Sequence, residues 1–388
     1  MPFHSKIQWI VCCILIMGET VFAQTPSASA RGEVLSSMQA AYRAFQELQP
    51  LISSEQEFVK PDNQEEISAL LDTLRTKFGN VLEVKSNFST EPGFASTLHV
   101  LNDMLNDAYN RFNEGKKGYA LWRMRTVSNY CVSCHTRFEV SQDFHPVPAD
   151  ISKLNAFEKG EFYLASRQFE KAKSAFLAAA RDKKLAIYRI DSLRKWLIIY
   201  TRVDPDPSAA IGELQKLGRT LKLNSTEREE IGGWLASLRR WANESKAKID
   251  PLRKAETLIV QGIGTLDPLS GDRSAVELLR ASGILHALLE DKEDQYSKKR
   301  GHMLYLLGLA YSELPFFFGN ELPEMFLEQS IREAPGSSDA RKAFRLYQTI
   351  VTRGFTGSGG TQLPDDVKLN LSELRQVAYG TPSIHGQL

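Results

Sequence analysis

Apolar residues recur at a helical period in four segments of the first 140 residues. The segments cover about residues 33 to 49, 64 to 84, 94 to 113 and 117 to 140. Pro50 is expected to end the first segment, and Asn63 with Glu66 forms a capping arrangement at the start of the second. Four amphipathic helices of this length, joined by short loops, predict an antiparallel up-down bundle. In such a bundle the end of the fourth helix shares one end with the starts of the first and third.

Helical periodicity resumes after a break at residues 143–152, where two prolines favour an extended linker. Residues 153–388 show almost no strand signal, and the glycine-rich run from Thr356 to Gly360 predicts a flexible loop. Further helices are expected at about 187 to 202, 208 to 221, 226 to 246, 251 to 263, 273 to 290 and 364 to 378. The sequence therefore predicts an all-α protein, with a four-helix bundle over residues 31–142 and helical repeats over residues 153–388.

Residues 153 to 186 carry small and aromatic side chains at fixed positions, namely Ala156, Gly160, Tyr163, Phe169, Ala172, Phe176 and Ala179. This pattern resembles the tetratricopeptide repeat (TPR). The small residues let two antiparallel helices approach each other, while the aromatic residues fill the seam. A second, degenerate unit follows if Pro315 to Gly319 is an insertion, with matching residues at Leu304, Leu307, Gly308, Tyr311, Ser330 and Pro335. The resemblance implies a curved, TPR-like stack whose concave face holds a peptide or a partner protein.

The first 23 residues are typical of an export signal. Lys6 precedes an apolar run from Ile7 to Met17, and small residues at Val21 and Ala23 fit signal peptidase. A second acceptable cleavage site follows Ala30. The sequence thus predicts a signal peptide over residues 1–23, no membrane span after its removal, and a bacterial periplasmic location.

Composition narrows the function further. A net charge of +1, with 42% apolar and 24% charged residues, argues against a nucleic-acid-binding protein and against a polybasic membrane patch. Two of the four cysteines, Cys12 and Cys13, leave with the signal peptide. The mature chain then keeps only Cys131 and Cys134, so it has no disulfide framework to build.

Cys131, Cys134 and His135 have the C-x-x-C-H spacing that attaches a c-type haem. Two thiols three residues apart on a helix share one face and can add to the two vinyl groups of one porphyrin. His135 then offers its imidazole to the iron as the proximal ligand. Three alternatives compete: a disulfide-exchange pair, a zinc site and a plain structural pair. The first is expected in a β-α-β setting and the second needs another ligand cluster, and the sequence shows neither.

With this motif on its fourth helix, the segment from 31 to 142 resembles the class II cytochromes c, the cytochrome c prime group. The resemblance depends on the helix count, on the three motif residues and on Phe138 at the aromatic position that follows them. Glu139 replaces the basic residue of that family, and Arg137 lies one place early. The resemblance implies one covalent haem c carried near the end of a four-helix bundle.

Met38 is the leading candidate for the sixth iron ligand, because it lies on the apolar face of the first helix at the predicted haem end. Low-spin members of the family use a methionine in a similar place. An open five-coordinate iron and a histidine ligand are the alternatives, and His99 is a better candidate than His145. Met104 and Met124 are expected in the core. Three arginines are within reach of the haem propionates but are expected to be solvated: Arg123, Arg125 and Arg137.

The repeat half shows no catalytic constellation, so the sequence favours an electron carrier over an enzyme. The expected function is electron transfer, with a redox partner protein and with the repeats positioning the haem domain. A five-coordinate gas-binding or sensing protein is one alternative, and a repeat scaffold with a structural haem is another. The three aromatic residues from Phe316 to Phe318 are expected to form a buried turn between helices rather than a docking surface.

Overall fold

The computed structural model describes residues 28–84, 94–135, 151–245, 248–264, 274–290, 294–318 and 321–380. Within these ranges the regular structure is helical, apart from one short hairpin that joins β1 (Thr356–Gly357) to β2 (Gly360–Thr361). The all-α prediction is confirmed. The predicted loop at the glycine-rich run is wrong in one respect. It closes as an antiparallel pair, and the hydroxyl oxygens of Thr356 and Thr361 lie 2.8 Å apart.

The N-terminal half contains five helices: α1 (Ala28–Ser53), α2 (Glu55–Val59), α3 (Gln64–Glu83), α4 (Phe94–Asn113) and α5 (Lys117–His135). Pro50 does not end α1, which continues for three more residues. Leu48 and Ile52 are both buried there, and this packing stabilises the turn despite the missing N–H of proline. Asn63 makes no side-chain cap on α3. Its amide instead donates to the backbone oxygen of Glu57, in the short helix that periodicity alone did not predict.

Side-chain contacts set the direction of neighbouring helices in this half. The Ser68 hydroxyl near the start of α3 donates to Asn113 at the end of α4, 3.0 Å away, so these helices are antiparallel. Tyr119 near the start of α5 donates to Asp107 in the second half of α4, 2.8 Å away, which makes that pair antiparallel too. Finally, the Arg125 Nε donates to the backbone oxygen of Ile52 over 3.0 Å. Lys117 at the start of α5 donates to the backbone oxygen of Val59, which lies beyond the end of α1, so α1 and α5 are antiparallel too. The ends of α3 and α5 therefore lie at the same end of the molecule as the starts of α1 and α4.

The C-terminal half is a series of helices, most of which pack against the next one along the chain. They are α6 (Ala156–Ala165), α7 (Phe169–Arg181), α8 (Arg189–Ile198), α9 (Pro207–Thr220), α10 (Ser225–Ala242), α11 (Pro251–Gly264), α12 (Ala275–Glu290), α13 (Asp294–Ser297), α14 (Arg300–Ser312), α15 (Pro315–Phe318), α16 (Glu321–Glu333), α17 (Ser338–Gly354) and α18 (Asp365–Tyr379). The helices expected from periodicity in this half are found within a few residues of their predicted bounds. A π-helical turn at Ile199–Val203 extends α8.

Glycines allow the helices of three hairpins to come together. A Cβ added at Gly160 would lie 2.5 Å from the ring of Phe176, and one at Gly262 would lie 2.7 Å from Leu278. In the third hairpin, a Cβ added at Gly308 would lie 2.5 Å from Leu327. Gly160 and Gly262 each precede the residue that they contact by the same number of positions in the sequence. The interval from Gly308 to Leu327 is three residues longer, because α15 is inserted between the two helices of that hairpin. The α11–α12 pair is therefore a repeat-like unit that sequence analysis did not identify.

Arginine–glutamate ion pairs link successive hairpins. Their members are separated by 36 to 38 residues, close to one repeat length: Arg189–Glu227, Arg194–Glu230, Arg240–Glu277 and Glu244–Arg280. Arg194 and Glu230 are both buried, with an Nε–Oε1 distance of 2.8 Å. Since a buried ion pair adds little net stability but is costly to break, we interpret these pairs as fixing how one hairpin sits on the next.

The two halves of the protein share one apolar core. A single cluster of buried residues extends from Val34 in α1 to Phe326 in α16. At the junction α6 packs against both α1 and α5, and α15 also contacts α5. The predicted linker, residues 143–152, lies outside the described ranges except for its last two residues. The helix that carries the C-x-x-C-H motif is thus covered in part by the repeat-like half.

The glycine contacts give a test of the hairpin packing. Gly160→Ala is expected to lower the free energy of unfolding by about 1–3 kcal/mol, because the added methyl group meets the buried Phe176 ring. Gly232→Ala is the matched control, since no atom other than those of its own helix backbone lies within 4 Å of the added Cβ. Its free energy of unfolding should rise by about 1 kcal/mol, because alanine has a higher helix propensity than glycine. Urea unfolding followed by circular dichroism measures both. Equal stability of Gly160→Ala and the parent protein would contradict the close approach of α6 and α7.

Candidate functional site

The C-x-x-C-H motif occupies the last turn of α5. The backbone is helical through Cys131, Cys134 and His135, so the two cysteines lie on one face, one turn apart. This is the backbone geometry that the haem prediction assumed. The side chains of these three residues lie outside the described part of the structure, as do Arg137, Phe138, Glu139 and His145.

The hydrogen bond between Arg125 and Ile52 fixes the height of the motif relative to α1. His135 lies ten residues beyond Arg125, or about 15 Å along α5 at the helical rise. The same distance backwards along the antiparallel α1 reaches Tyr42. An arginine side chain leans toward the N-terminus of its own helix. The residue of α1 at the level of His135 is therefore up to one turn before Tyr42, toward Met38. The last turn of α5 is therefore level with the Met38–Tyr42 turn of α1.

Met38 is half-buried and packs against the shared core. Its thioether is thus on the inner side of α1, where the prediction of a distal ligand requires it. Met104 and Met124 are buried in the core, at 5% and 0% exposure, as expected. His99 is exposed on α4, which agrees with a solvated flank position more than with an inward-facing ligand.

The expectation that Arg123 is solvated is wrong, because this side chain is partly buried and ion-paired. Its Nε lies 3.0 Å from the Asp107 carboxylate, and its guanidinium carbon lies 5.0 Å from the Trp122 ring centre. Partial burial opposes ionisation of Asp107, but hydrogen bonds from Tyr119 and Arg123 outweigh it and hold the pKa of Asp107 below its ordinary value. This interaction occupies Arg123 far from the motif. Arg125 is exposed and is held by its bond to Ile52.

Tyr42 lies in the region of the candidate site, although no sequence motif points to it. It is buried, its hydroxyl accepts a hydrogen bond from Gln46 at 2.9 Å, and it donates to the backbone oxygen of Ser166 at 3.5 Å. Ser166 ends α6 in the other half of the protein, and 124 residues separate the two partners. No local sequence signal could reveal a bond over that separation. Tyr42 therefore ties the repeat-like half to α1 at the height of the motif.

The aromatic run in α15 is a turn that is buried at two of its three positions. Phe317 and Phe318 are each 1% exposed, and Phe318 meets the ring of Tyr311 edge-on at 5.2 Å. Phe316 is 62% exposed and lies under the Arg194 guanidinium at 4.6 Å. The buried-turn prediction is confirmed for Phe317 and Phe318 and wrong for Phe316.

The part of the chain that the structure describes contains neither a membrane-spanning helix nor a cluster of metal-binding side chains. No helix there is both long enough and apolar enough to cross a membrane. Among the described side chains, no group of three histidine, cysteine, aspartate or glutamate residues is arranged to hold a metal ion. The second finding does not bear on Cys131, Cys134 and His135, whose side chains are outside that set.

Comparison of the chain with protein-family models, with curated proteins and with solved structures finds no match. The function of this chain is therefore inferred from its own residues and their geometry.

The buried Tyr42 hydroxyl predicts an alkaline loss of stability. Burial raises the pKa of Tyr42, and the hydrogen bond to Ser166 only partly offsets this. As the pH rises, Tyr42 ionises at a lower pH in the unfolded chain than in the folded protein. Its contribution to the free energy of unfolding is therefore complete below about pH 10 and is lost as the pH rises above that value. Tyr42→Phe should cost about 1 kcal/mol at neutral pH but should lose less stability than the parent between about pH 8 and pH 11. Urea midpoints at both pH values measure this. Tyr379→Phe, at an exposed tyrosine, is the control and should lose as much stability as the parent. An equally large loss in Tyr42→Phe would contradict the role of the buried hydroxyl.

Proposed function

We propose that this chain is an exported electron-transfer protein with one covalent haem c, of the class II cytochrome type. The observation that carries the proposal is the C-x-x-C-H motif on the last turn of a long helix, level with the turn of α1 that contains Met38. The donor set suits this cofactor: two thiols on one helical face, followed by an imidazole, with a thioether across from them.

When bound, haem supplies reversible one-electron exchange between ferrous and ferric iron. Cys131 and Cys134 would hold the haem through two thioether bonds, each formed by adding a thiol S–H across one vinyl group. His135 would supply an imidazole to the iron and Met38 a thioether. Both of these ligands are neutral and are fixed to helices, so the same side chains serve both oxidation states with little rearrangement.

Antiparallel packing supports a haem-binding bundle made of α1, α3, α4 and α5. Contacts from α3 to α4, from α4 to α5 and from α5 to α1 run around the four helices in turn. Their apolar faces meet in a core that includes Leu71, Leu105 and Leu121, all at most 2% exposed. A core of this kind fixes the ends of α1 and α5 relative to each other, as a ligand pair contributed by two helices requires.

The repeat-like half supports a second part of the proposal, which is the binding of a redox partner protein in the bacterial periplasm. Its hairpins are packed through glycines and are linked by ion pairs at a repeat-length spacing. Stacks of this type present extended surfaces to other proteins. Since α6 and α15 of this half contact α5, a protein bound at α6 or α15 would lie close to the helix that carries the motif.

The sixth ligand distinguishes electron transfer from gas binding. The full chain is produced in a host that matures c-type cytochromes, and its reduced visible spectrum is recorded with and without carbon monoxide. The parent protein should show a low-spin spectrum that carbon monoxide does not change promptly, whereas Met38→Ala should bind the gas at once because its sixth position is open. Met104→Leu, a volume-matched change in the core, should behave like the parent.

Prompt binding of carbon monoxide by the parent protein would contradict the six-coordinate site and would favour the gas-binding alternative. A low-spin spectrum that survives in Met38→Ala would contradict the role of Met38. A bound haem that neither accepts nor donates an electron would contradict electron transfer and would favour the alternative of a repeat scaffold with a structural haem.

A further inference from the structure

The outer face of α5 exposes two large aromatic side chains near the start of the helix. Ala120, Leu121 and Met124 of α5 are buried in the core, each at most 2% exposed. Trp122 and Tyr119 lie outside the core, where they are 52% and 40% exposed, and their ring centres are 5.6 Å apart. Core packing therefore does not explain why these two aromatic residues are here.

The two rings are held in place by arginines of α4 and α5. The guanidinium carbon of Arg123 lies 5.0 Å from the Trp122 ring centre and 5.6 Å from that of Tyr119. The Tyr119 hydroxyl donates to Asp107 at 2.8 Å and accepts from the Arg123 Nε at 3.1 Å. Arg111 of α4 also lies over the Tyr119 ring, at 5.9 Å. A binding partner would meet side chains that are already ordered, which lowers the entropic cost of binding.

The start of α5, next to these rings, is positively charged. The helix contains no aspartate or glutamate, and Lys117 at its first position directly follows Lys116. The amino end of a helix is its positive end and favours acidic side chains, so two lysines here add to the positive charge. The Lys117 amine donates to two neutral oxygens, the Val59 carbonyl at 3.3 Å and the Gln64 side chain at 3.1 Å. No acidic residue of α5 balances this charge.

The acidic residues of α4 and the following turn do not offset this charge completely. Glu114 is ion-paired with both Arg111 and Lys116, at 3.0 and 2.8 Å. Asp107 is ion-paired with both Arg111 and Arg123, at 3.3 and 3.0 Å. Two carboxylates are thus shared by three cations, and the surface keeps a positive excess. We call this surface the basic aromatic patch, and it consists of Arg111, Lys116, Lys117, Tyr119, Trp122 and Arg123.

We propose that the basic aromatic patch binds an acidic surface of another protein, in which carboxylates surround an apolar side chain. Tryptophan, tyrosine and arginine are enriched among the residues that contribute most binding energy at protein interfaces. Positive charge around them attracts and orients a negatively charged partner. A protein is favoured over an anionic membrane because the net charge of the whole chain, +1, gives it little general attraction to such a membrane.

This surface is separate from the proposed haem site. Trp122 precedes His135 on α5 by about 20 Å at the helical rise. The patch is built from described side chains of α4, α5 and the turn between them, and the proposal does not depend on the haem.

Two variants of the full chain test the proposal, each with a matched control. Trp122→Ala removes the larger exposed ring, and its control is Leu369→Ala, at a leucine that is 61% exposed on α18. Lys116→Glu reverses an exposed charge, and its control is Lys216→Glu, at an exposed lysine of α9 that is likewise ion-paired with a glutamate. Because the changed side chains are exposed, all four variants should unfold within about 5 °C of the parent, as circular dichroism measures.

The immobilised parent chain is used to select binders from a library of random short peptides. Fluorescence anisotropy then gives the affinity of each selected peptide for the parent and the variants at low and high salt. We expect peptides rich in aspartate and glutamate, whose binding weakens as the salt concentration rises. Trp122→Ala should weaken their binding about tenfold or more, and Lys116→Glu should weaken it severalfold. Both controls should match the parent.

If no acidic peptide depends on Trp122 and Lys116 for binding, the proposal is overturned. Equal losses of affinity in the two controls would overturn it as well. Vesicles of phosphatidylglycerol and phosphatidylcholine are tested in parallel. Binding of these vesicles that depends on Trp122, in the absence of such peptides, would overturn the proposal in favour of a membrane surface. A parent chain that carries covalent haem but selects no such peptide would overturn this inference alone.

Discussion

The alignment of the last turn of α5 with the Met38–Tyr42 turn of α1 is the constraint on which the functional account depends. The two iron ligands of the proposed site, His135 and Met38, lie on different helices. Their relative height is fixed by the antiparallel direction of the helices and by the bond from Arg125 to the end of α1. A shift of one turn, about 5 Å, would move Met38 out of level with His135 and remove the basis for proposing that the two residues bind one iron.

The repeat-like half adds a second constraint, because it is built against the helices of the site. Residues of α6 and α15 contact α5, and the Tyr42–Ser166 bond joins the halves at the height of the motif. The two halves therefore form a continuous core rather than two separate units on a tether. Within the repeats, glycines set the distance between paired helices and arginine–glutamate pairs set the stacking of neighbouring hairpins.

Periodicity predicted much of this fold because it is a local property of the chain. The bounds of α3, α4 and α11 agree with the predicted helices to within a residue, and the repeat pattern correctly placed Gly160 against an aromatic seam. The failures have physical causes. Pro50 was expected to end α1, but buried neighbours on either side stabilise one more turn. The α11–α12 unit was missed because Leu278 occupies the place of an aromatic residue against Gly262.

The C-x-x-C-H motif is visible in the sequence because its spacing is confined to five residues, and the haem that it indicates stays a prediction. The bond made by Tyr42 is not visible there, since its partner lies 124 residues away. The intact mass of the mature protein, purified from a host that attaches c-type haem, tests the central claim most directly. The account predicts the mass of the polypeptide plus one haem, and the polypeptide mass alone for a Cys131→Ala, Cys134→Ala double variant. A parent protein with the polypeptide mass alone, and with two thiols open to alkylation, would contradict it.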